Sequence, residues 1–406
     1  MNSHGIKRIL FVDDEPELLD SLRARLYKRR HEWNMVFLTS AQQAFAELEQ
    51  GAADLVVSDV RMPGIDGGEF LRVLKEHWPE TIRIVLSGYA EQVQVLKLVS
   101  LAHQYIAKPC DAQRLENVID RCFRLSDILC QDSLRSVVGR ISSLPSMPSV
   151  YTQLQEALLK PDTSAATLAD IVAQDAAITA KVLQVANSAF FRLPRPLTRI
   201  KDAVAYLGFA SIRNMALSAE IFTHWQPQAL KELDVERMQA HALAIADASM
   251  ALAAGTPLAD DAWLAGLLHD IGYYVLMQEE PQRLMQAVAL AREQGIACDR
   301  AERQIIGASH AEIGAYLLGL WGLPYPIVEA VAWHHTPQLV PKQGFDLLAI
   351  IATAHALLGE HAMPIAHLSN EMLPAVNEEY FSGLNPPFDW QEATRRVRDA
   401  CSHLAS

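Results

Sequence analysis

Cysteine is scarce in this sequence, and the few cysteines that occur are far apart. The chain has 406 residues and 5 cysteines, and no two of them form a Cys-X-X-Cys pair. A disulfide framework or a zinc ribbon requires closely spaced pairs, so the sequence argues against both. The cysteine content instead fits a protein of a reducing compartment.

Long hydrophobic runs are also missing. The most apolar stretch of the second half, residues 347–359, is too short to span a bilayer and contains His355. The first residues reach acidic side chains after only a short apolar run, which differs from the pattern of a secretory signal. We therefore expect a cytoplasmic protein with no membrane segment.

Basic residues are fewer than acidic residues in this sequence. Lys and Arg number 35 against 48 Asp and Glu, which gives a formal net charge of −13. A protein that binds the nucleic-acid backbone in general is basic, so the sequence disfavours general nucleic-acid binding. Hydrophobic residues make up 50% of the chain and charged residues 20%, which excludes disordered, collagen-like and low-complexity classes. The length corresponds to two or three domains.

The sequence pattern changes near residue 131. Before this point, short β-rich runs alternate with helical patterns, and the runs are residues 8–12, 35–38, 54–58, 82–86 and 104–107. This alternation predicts βα units on a parallel sheet, and the nearly continuous apolar runs predict that both faces are covered. After residue 131, apolar residues recur at spacings of three and four, which predicts an all-helical second part. The predicted fold class is therefore α/β plus all-α.

Polar side chains follow four of the predicted strands. Asp13 and Asp14 follow the first strand, Asp59 the third, Ser87 the fourth and Lys108 the fifth. Ligands of such sheets bind beyond the carboxyl ends of the strands, so we expect these groups to converge. Three carboxylates repel one another unless a cation is present, and Mg²⁺ prefers oxygen ligands. A carboxylate there can act as a nucleophile toward phosphorus. Singly, each residue also fits a helix cap or a turn.

Residues 6–126 resemble the receiver domain of two-component response regulators. The likeness rests on the motifs Val12-Asp13-Asp14-Glu15-Pro16, Ser58-Asp59-Val60-Arg61-Met62-Pro63-Gly64, Leu86-Ser87-Gly88 and Lys108-Pro109. The resemblance implies a flavodoxin-like, doubly wound sheet of five parallel strands. It also implies that Asp59 accepts a phosphoryl group from a sensor histidine kinase.

The same resemblance implies a role for each site residue. Mg²⁺ would be held by Asp13, Asp14, Asp59 and the backbone carbonyl of Arg61. Ser87 would bond a phosphoryl oxygen, and Lys108 would contact the phosphoryl group. Tyr105 matches the switch aromatic of the family, so Ser87 and Tyr105 would report phosphorylation. The Lys108–Pro109 bond is often cis in that family, and X–Pro is the bond at which cis costs little.

Histidines accumulate in the helical part of the chain. The candidate metal ligands are His241, His269, Asp270, His310, His334, His335 and His355. Imidazole together with carboxylate suits Zn²⁺, Fe or Mn²⁺. The residues come from separate predicted helices, so a metal site would lie in the core of a helical bundle. The alternative is that they are core or surface histidines without a ligand.

Residues 135–340 resemble the HD superfamily of metal-dependent phosphohydrolases, most closely its HDOD branch. The motifs are Leu183-Gln-Val-Ala-Asn-Ser-Ala189, Ile200-Lys-Asp-Ala-Val-Ala-Tyr-Leu-Gly208, Leu267-Leu-His-Asp-Ile-Gly272, His310-Ala-Glu-Ile-Gly314 and Leu320-Trp-Gly-Leu-Pro324. HDOD domains act mostly as signalling outputs, so the resemblance implies an HD-like helical bundle without implying catalysis.

The sequence departs from active HD enzymes at the last ligand and at the phosphodiesterase signature. Those enzymes place an aspartate on a late helix, where Thr353 or His355 stands here. The phosphodiesterase branch has Gly-Tyr-Pro after the paired histidines, whereas Thr336-Pro337 follows here, and it has lysine where Tyr273 stands. His355 can replace the missing carboxylate, since imidazole binds the same metals.

The resemblances also predict the domain boundaries. We expect a receiver domain over residues 1–126, a helical connector over 127–144, an HDOD domain over 145–340 and a helical extension over 341–406 that packs on it. A basic run, formed by Arg192, Arg195, Arg199 and Lys201, is either a solvated loop or a contact for an anion.

Two functions are compatible with the sequence. In the first, phosphorylation switches a helical output that acts through a protein or nucleotide ligand. In the second, phosphorylation gates a metal-dependent phosphohydrolase or phosphodiesterase that acts on a nucleotide or cyclic dinucleotide. Whether the chain is an enzyme and whether it forms a homodimer are left open at this point. The complete receiver set beside an incomplete HD set favours the first function.

Overall fold

A computed structural model describes residues 6–88, 101–109, 112–128, 137–141, 144–146, 148–160, 163–188, 193–217, 222–224, 235–340, 344–358 and 381–401. The chain forms two compact units. The first is Met1–Ser142 with Asn187–Arg195 and Leu320–Gly322, and the second is Ser143–Ala186, Pro196–Gly319 and Leu323–Ser406. Across these described ranges, no helix combines the length and hydropathy required to cross a membrane.

The first unit contains a parallel sheet whose strands alternate with helices. Its elements are β1 (Lys7–Val12), α1 (Pro16–Leu26), β2 (Trp33–Leu38), α2 (Ala41–Gln50), β3 (Leu55–Asp59), α3 (Gly67–His77), β4 (Ile82–Ser87), β5 (Gln104–Ala107) and α4 (Ala112–Ile128). The strand order is β2-β1-β3-β4-β5 and every pairing is parallel. The predicted doubly wound, flavodoxin-like sheet is therefore confirmed.

The sheet is covered on both faces, as its apolar strands predict. Every residue of β3, β4 and β5 is buried. One side of the core joins Val56 and Val85 of the sheet to Phe70 and Leu71 of α3. The helix α3 begins at Asp66, whose side chain accepts a hydrogen bond from the backbone N–H of Glu69. This cap fixes the helix directly after the loop that follows β3.

The second unit is mostly helical, as predicted. Its helices are α5 (Pro148–Leu159), α6 (Ala165–Val172), α7 (Ala176–Ala186), α8 (Ile200–Leu217), α9 (Val235–Leu252), α10 (Ala259–Leu268), α11 (Ile271–Glu279), α12 (Pro281–Gln294), α13 (Cys298–Ile305), α14 (His310–Leu320), α15 (Tyr325–Trp333), α16 (Leu347–Leu358) and α17 (Trp390–Ala400). Because α9 packs against α10, α16 and α17, and α15 packs against α10 and α16, the helices that carry or end at His241, His269, His334 and His355 share one core.

A short strand ladder in this unit differs from the all-helical prediction. Strand β6 (Leu144–Ser146) pairs in parallel with β7 (Phe222–His224). A strand of three residues is too short to show the alternation on which strand prediction rests, and Pro145 indicates a break. The partner strand lies far away in the sequence, so the pairing depends on tertiary structure.

Candidate functional site

An acidic cluster lies at the carboxyl edge of the sheet. Asp13 follows β1 and Asp59 ends β3, and these two strands are neighbours in which Val12 pairs with Ser58. One ligand atom from each of Asp13, Asp14 and Asp59 lies within 4.8 Å of the others. The Nζ atom of Lys108, which follows β5, lies 2.8 Å from Asp13 Oδ2 and 2.9 Å from Asp59 Oδ2. The parallel sheet thus brings four residues of three strand ends together.

Burial and neighbouring charges shift the pKa values of this cluster in opposite directions. Burial raises the pKa values of the Asp13 and Asp59 carboxyls, and the nearby Lys108 ammonium partly offsets this shift. Burial lowers the pKa of Lys108, but the hydrogen bonds to both carboxylates outweigh it, so the pKa rises above its ordinary value. Buried carboxylates crowded together require a cation, and an all-oxygen donor set fits Mg²⁺.

Backbone groups orient the two carboxylates. The N–H of Glu15 donates to Asp13 Oδ1 at 3.0 Å, and the N–H of Val60 donates to Asp59 Oδ1 at 2.7 Å. Sequence reasoning missed the contribution of Gly67. A Cβ there would lie 2.3 Å from the carbonyl oxygen of Asp59, so only glycine lets α3 approach this loop.

The remaining receiver residues lie on β4, on β5 and in the loop that follows β3. Ser87 ends β4 and is buried, and its carbonyl accepts a hydrogen bond of 2.7 Å from the Lys108 backbone N–H. Tyr105 is buried, and its hydroxyl donates to the carbonyl of Ala102 at 3.4 Å. Arg61 is exposed in the loop that follows Asp59. The Lys108–Pro109 peptide bond is cis, as the resemblance implies.

In the second unit, Asp270 occupies the centre of a histidine cluster. Its Oδ1 atom lies 3.3 Å from His310 Nε2 and 3.7 Å from His334 Nε2. Its Oδ2 atom lies 3.2 Å from His269 Nε2 and 3.6 Å from His241 Nε2. Each carboxylate oxygen therefore faces its own pair of histidines.

The two other candidate ligands complete the same cluster. His335 Nε2 lies 2.9 Å from His310 Nε2. The ring of His355 on α16 lies 5.4 Å from the rings of both His241 and His335, measured between centroids. All the candidate ligands therefore converge, in one group of Asp270, His310, His334 and His335 and a second group of His241, His269 and His355.

The histidine rings are oriented by acceptors at Nδ1. His269 Nδ1 lies 2.7 Å from the carbonyl oxygen of Gly266, and His334 Nδ1 lies 2.8 Å from that of Val331. Each carbonyl requires the ring proton on Nδ1, which leaves Nε2 as a donor atom for a metal. Sequence reasoning missed one further acceptor, Glu302, which contacts His310 and stands eight residues before it.

Burial keeps most of these histidines neutral. It lowers the pKa of His334 and that of His355 to about 3, and it lowers those of His241 and His335 well below the ordinary value. Burial raises the pKa of Asp270, but the contacts with His269 and His310 outweigh it, so the pKa lies well below its ordinary value. Burial lowers the pKa of His310, but the neighbouring carboxylates of Glu302 and Asp270 outweigh it and raise that pKa to about 10. Neutral imidazole and ionised carboxylate are the forms that bind metal.

Four buried atoms in and beside this cluster have no hydrogen-bond partner among the described residues: His241 Nδ1, Asp270 Oδ1, Glu302 Oε1 and His334 Nε2. Among the described residues, His334 Nε2 has no hydrogen-bond partner, although the side chain is fully buried. A buried nitrogen lone pair that faces a carboxylate without a proton between them fits a cation. The donor set of imidazoles and one carboxylate fits Zn²⁺, Fe or Mn²⁺.

Gly272 sets the distance between Asp270 and the helix that begins at His310. A Cβ at position 272 would lie 1.9 Å from the carbonyl oxygen of His310, which belongs to the backbone and cannot rotate away as a side chain would. We expect Gly272→Ala to destabilise the helical unit by about 3 kcal/mol, because α11 and α14 would have to separate. Urea unfolding measures the decrease in the free energy of unfolding.

The matched control for this substitution is Gly295→Ala. A Cβ there meets no atom within 4 Å, so only the left-handed backbone, with φ of 62°, is affected. We expect that control to cost about 1 kcal/mol. Equal destabilisation by the two substitutions would contradict the close approach at Gly272.

The predicted basic run is largely paired with acids. Arg199 Nε lies 3.4 Å from Asp260 Oδ2, and Lys201 Nζ lies 3.2 Å from Asp170 Oδ1, all on exposed side chains. Arg195 is exposed, and Arg192 lies outside the described residues. A role for this run as an anion contact stays a prediction.

Fold and site together define a receiver-type α/β domain joined to an HD-type helical domain. Comparison with protein families identifies both: a response regulator receiver domain matches residues 9–120, and an HDOD domain matches residues 144–337. The chain therefore carries a response regulator receiver domain at its N-terminus and an HDOD domain C-terminal to it.

Curated relatives match parts of the chain. An uncharacterized protein of Treponema pallidum is 27% identical over 225 residues, which is 54% of this chain and 43% of that protein. The hydrogenase transcriptional regulatory protein HoxA of Cupriavidus necator is 40% identical over 103 residues, which is 25% of this chain and 21% of that protein. The chain thus spans less than half the length of either relative.

Solved structures align with this chain at low sequence identity. A virulence factor from Campylobacter jejuni aligns with a TM-score of 0.54 and 17% identity, and the alignment covers 67% of this chain and 96% of that one. The MmoQ response regulator from Methylococcus capsulatus aligns with a TM-score of 0.48 and 19% identity, covering 63% of this chain and 98% of that one.

Proposed function

We propose that this chain is a two-component response regulator that is phosphorylated on Asp59 by a sensor histidine kinase in the presence of Mg²⁺. The observation that supports this most is the position of Lys108 Nζ, within 2.9 Å of carboxylate oxygens from both Asp13 and Asp59. A buried nucleophilic carboxylate beside a fixed ammonium is the arrangement that phosphoryl transfer to an aspartate requires.

Each residue of the site has its own role in the phosphoryl transfer. Asp59 Oδ2 attacks phosphorus, so that a P–O bond forms as the P–N bond of the kinase phosphohistidine breaks. Lys108 neutralises the incoming phosphoryl oxygens, and the Ser87 hydroxyl hydrogen-bonds one of them. Asp13, Asp14, Asp59 and the Arg61 carbonyl would hold Mg²⁺, which supplies charge neutralisation for the phosphoryl group.

Phosphorylation then acts on the output through Ser87 and Tyr105. A new bond from Ser87 to the phosphoryl group changes the end of β4, and Tyr105 lies on the neighbouring strand, where Val85 pairs with it. Both side chains are buried in close-packed surroundings, so we expect a displacement at Ser87 to reach Tyr105 through the atoms packed between the two strands. The HDOD domain is the output and acts by binding a protein or ligand.

Acetyl phosphate with Mg²⁺ tests the first step on the full chain. We expect intact-mass spectrometry to show one phosphoryl group per chain, and no addition when Mg²⁺ is removed by a chelator. Beryllofluoride tests the second step. If it leaves oligomeric state, domain contacts and partner binding unchanged, the proposed coupling to the output is wrong.

A second candidate function rests on the histidine cluster. We propose that Asp270 and the six histidines around it hold Zn²⁺, Fe or Mn²⁺, and that the domain has the parts of a phosphohydrolase acting on a nucleotide or cyclic dinucleotide. A bound metal of this kind supplies an activated water. The observation in its favour is the convergence of every candidate ligand around one carboxylate. Elemental analysis of purified protein, followed by turnover assays after Mn²⁺ or Fe²⁺ loading, tests metal binding and hydrolysis separately.

A further inference from the structure

Glu302 is a buried carboxylate outside every motif of the sequence, and it contacts the candidate ligand His310. Its side chain is 1% exposed, and its Oε2 atom lies 2.7 Å from His310 Nδ1. The same oxygen accepts a hydrogen bond of 2.7 Å from the backbone N–H of His310. One carboxylate oxygen on α13 therefore fixes both the start of α14 and the rotation of the ring.

This contact determines which nitrogen of His310 is available to a metal. An ionised carboxylate accepts hydrogen bonds but donates none, so in the neutral ring the proton lies on Nδ1 and Nε2 keeps its lone pair. This Nε2 atom points into the cluster, at 3.3 Å from Asp270 Oδ1 and 2.9 Å from His335 Nε2. The ring of Tyr273 stacks on the face of the His310 ring, with centroids 4.0 Å apart and an interplanar angle of 14°.

His310 differs from the other oriented histidines in the charge of its acceptor. His269 and His334 have backbone carbonyls at Nδ1, at 2.7 and 2.8 Å, whereas His310 has a carboxylate. A charged acceptor makes a stronger hydrogen bond than a neutral one. It also pushes electron density toward Nε2, which makes that nitrogen a better ligand.

We infer that Glu302 is a positioning residue that orients His310 and strengthens it as a metal ligand. The inference rests on the proposed metal site. Loss of a carboxylate that supports a ligating histidine typically costs about 10–100-fold in metal affinity. We expect an effect of that size on Zn²⁺ binding, although Glu302 itself does not touch the metal.

Glu302→Gln in the full chain tests the inference. The amide keeps the volume of the side chain and an oxygen acceptor, and it removes the charge. We expect its dissociation constant for Zn²⁺, measured by competition with a chromophoric chelator, to rise about 10–100-fold. The matched control is Glu312→Gln, because Glu312 lies at the start of α14, the helix of His310, but contacts Ser309 and Arg303 rather than an imidazole. We expect the dissociation constant of the control variant for Zn²⁺ to stay within about threefold of that of the unaltered chain.

The outcomes separate this inference from the metal proposal. If the unaltered chain binds no Zn²⁺, Fe or Mn²⁺, both fail. If it binds Zn²⁺ and Glu302→Gln binds equally well, or Glu312→Gln weakens binding just as much, only the role of Glu302 fails. A second measurement needs no variant: ¹⁵N-histidine NMR of the zinc-loaded chain is expected to show the His310 proton on Nδ1, and a proton on Nε2 would overturn the inference.

Discussion

Asp59→Asn is expected to abolish the addition of a phosphoryl group from acetyl phosphate. An amide oxygen is a far weaker nucleophile than a carboxylate, and the substitution also removes one negative charge from the proposed Mg²⁺ site. The fold should persist, because the asparagine oxygen can still accept the bond from the Val60 N–H, which measures 2.7 Å. Intact-mass spectrometry and gel retardation of the phosphorylated species measure the loss.

The matched control for this loss is Asp66→Asn. Asp66 ends the loop that follows Asp59, and its Oδ1 accepts a hydrogen bond of 2.8 Å from the N–H of Glu69 at the start of α3. Asparagine caps a helix about as well as aspartate, so we expect both stability and phosphorylation to be retained. Full labelling of Asp59→Asn would show that another residue accepts the phosphoryl group and would refute the assignment.

Asp270→Asn is expected to remove metal binding from the HDOD domain. Both oxygens of Asp270 face histidine nitrogens, at 3.2 Å on one side and 3.3 Å on the other, and it is the carboxylate of the ligand group that contains His310, His334 and His335. Loss of residues that only orient ligands already costs about 10–100-fold in affinity, so we expect a loss of more than about 100-fold here. Elemental analysis and Zn²⁺ titration measure the loss.

Asp247→Asn provides the control in the same helical core. Asp247 lies on α9 and accepts a bond of 3.1 Å from the indole N–H of Trp263, which an asparagine oxygen can also accept. We expect its metal content to match that of the unaltered chain. Undiminished metal in Asp270→Asn would place the bound ion elsewhere, and the cluster would then be a set of buried histidines without a ligand.

The receiver site could be predicted from sequence because its residues occupy strand ends. The parallel order of βα units places every carboxyl end at one edge, so Asp13, Asp59 and Lys108 meet whatever the lengths of the intervening helices. Strand limits were also close, and β5 was predicted at Gln104–Ala107, where the structure has it. Gly67 was missed because its importance arises from a contact between backbones, which leaves no pattern in a single sequence.

The histidine cluster was less predictable. The types of residue suggested metal binding, but a helical pattern does not give the angle at which two helices cross. Glu302 shows most clearly what could not be predicted from the sequence. It stands on α13, one helix before His310, and its carboxylate has no motif of its own. The short ladder of β6 and β7 was missed for a similar reason, since its strands are distant in sequence and three residues long.

The sequence by itself determined the two fold classes, the receiver motifs and the chemical nature of both donor sets, since these depend on local periodicity and on residue type. Only the tertiary structure decided that Asp270 presents one oxygen to each pair of histidines, that Glu302 holds His310 and that Gly272 permits the approach of α11 to α14. The physical reason is that the distances between these groups depend on how closely the helices pack. A single Cβ atom can change that packing, and the spacing of residues along the chain does not encode it.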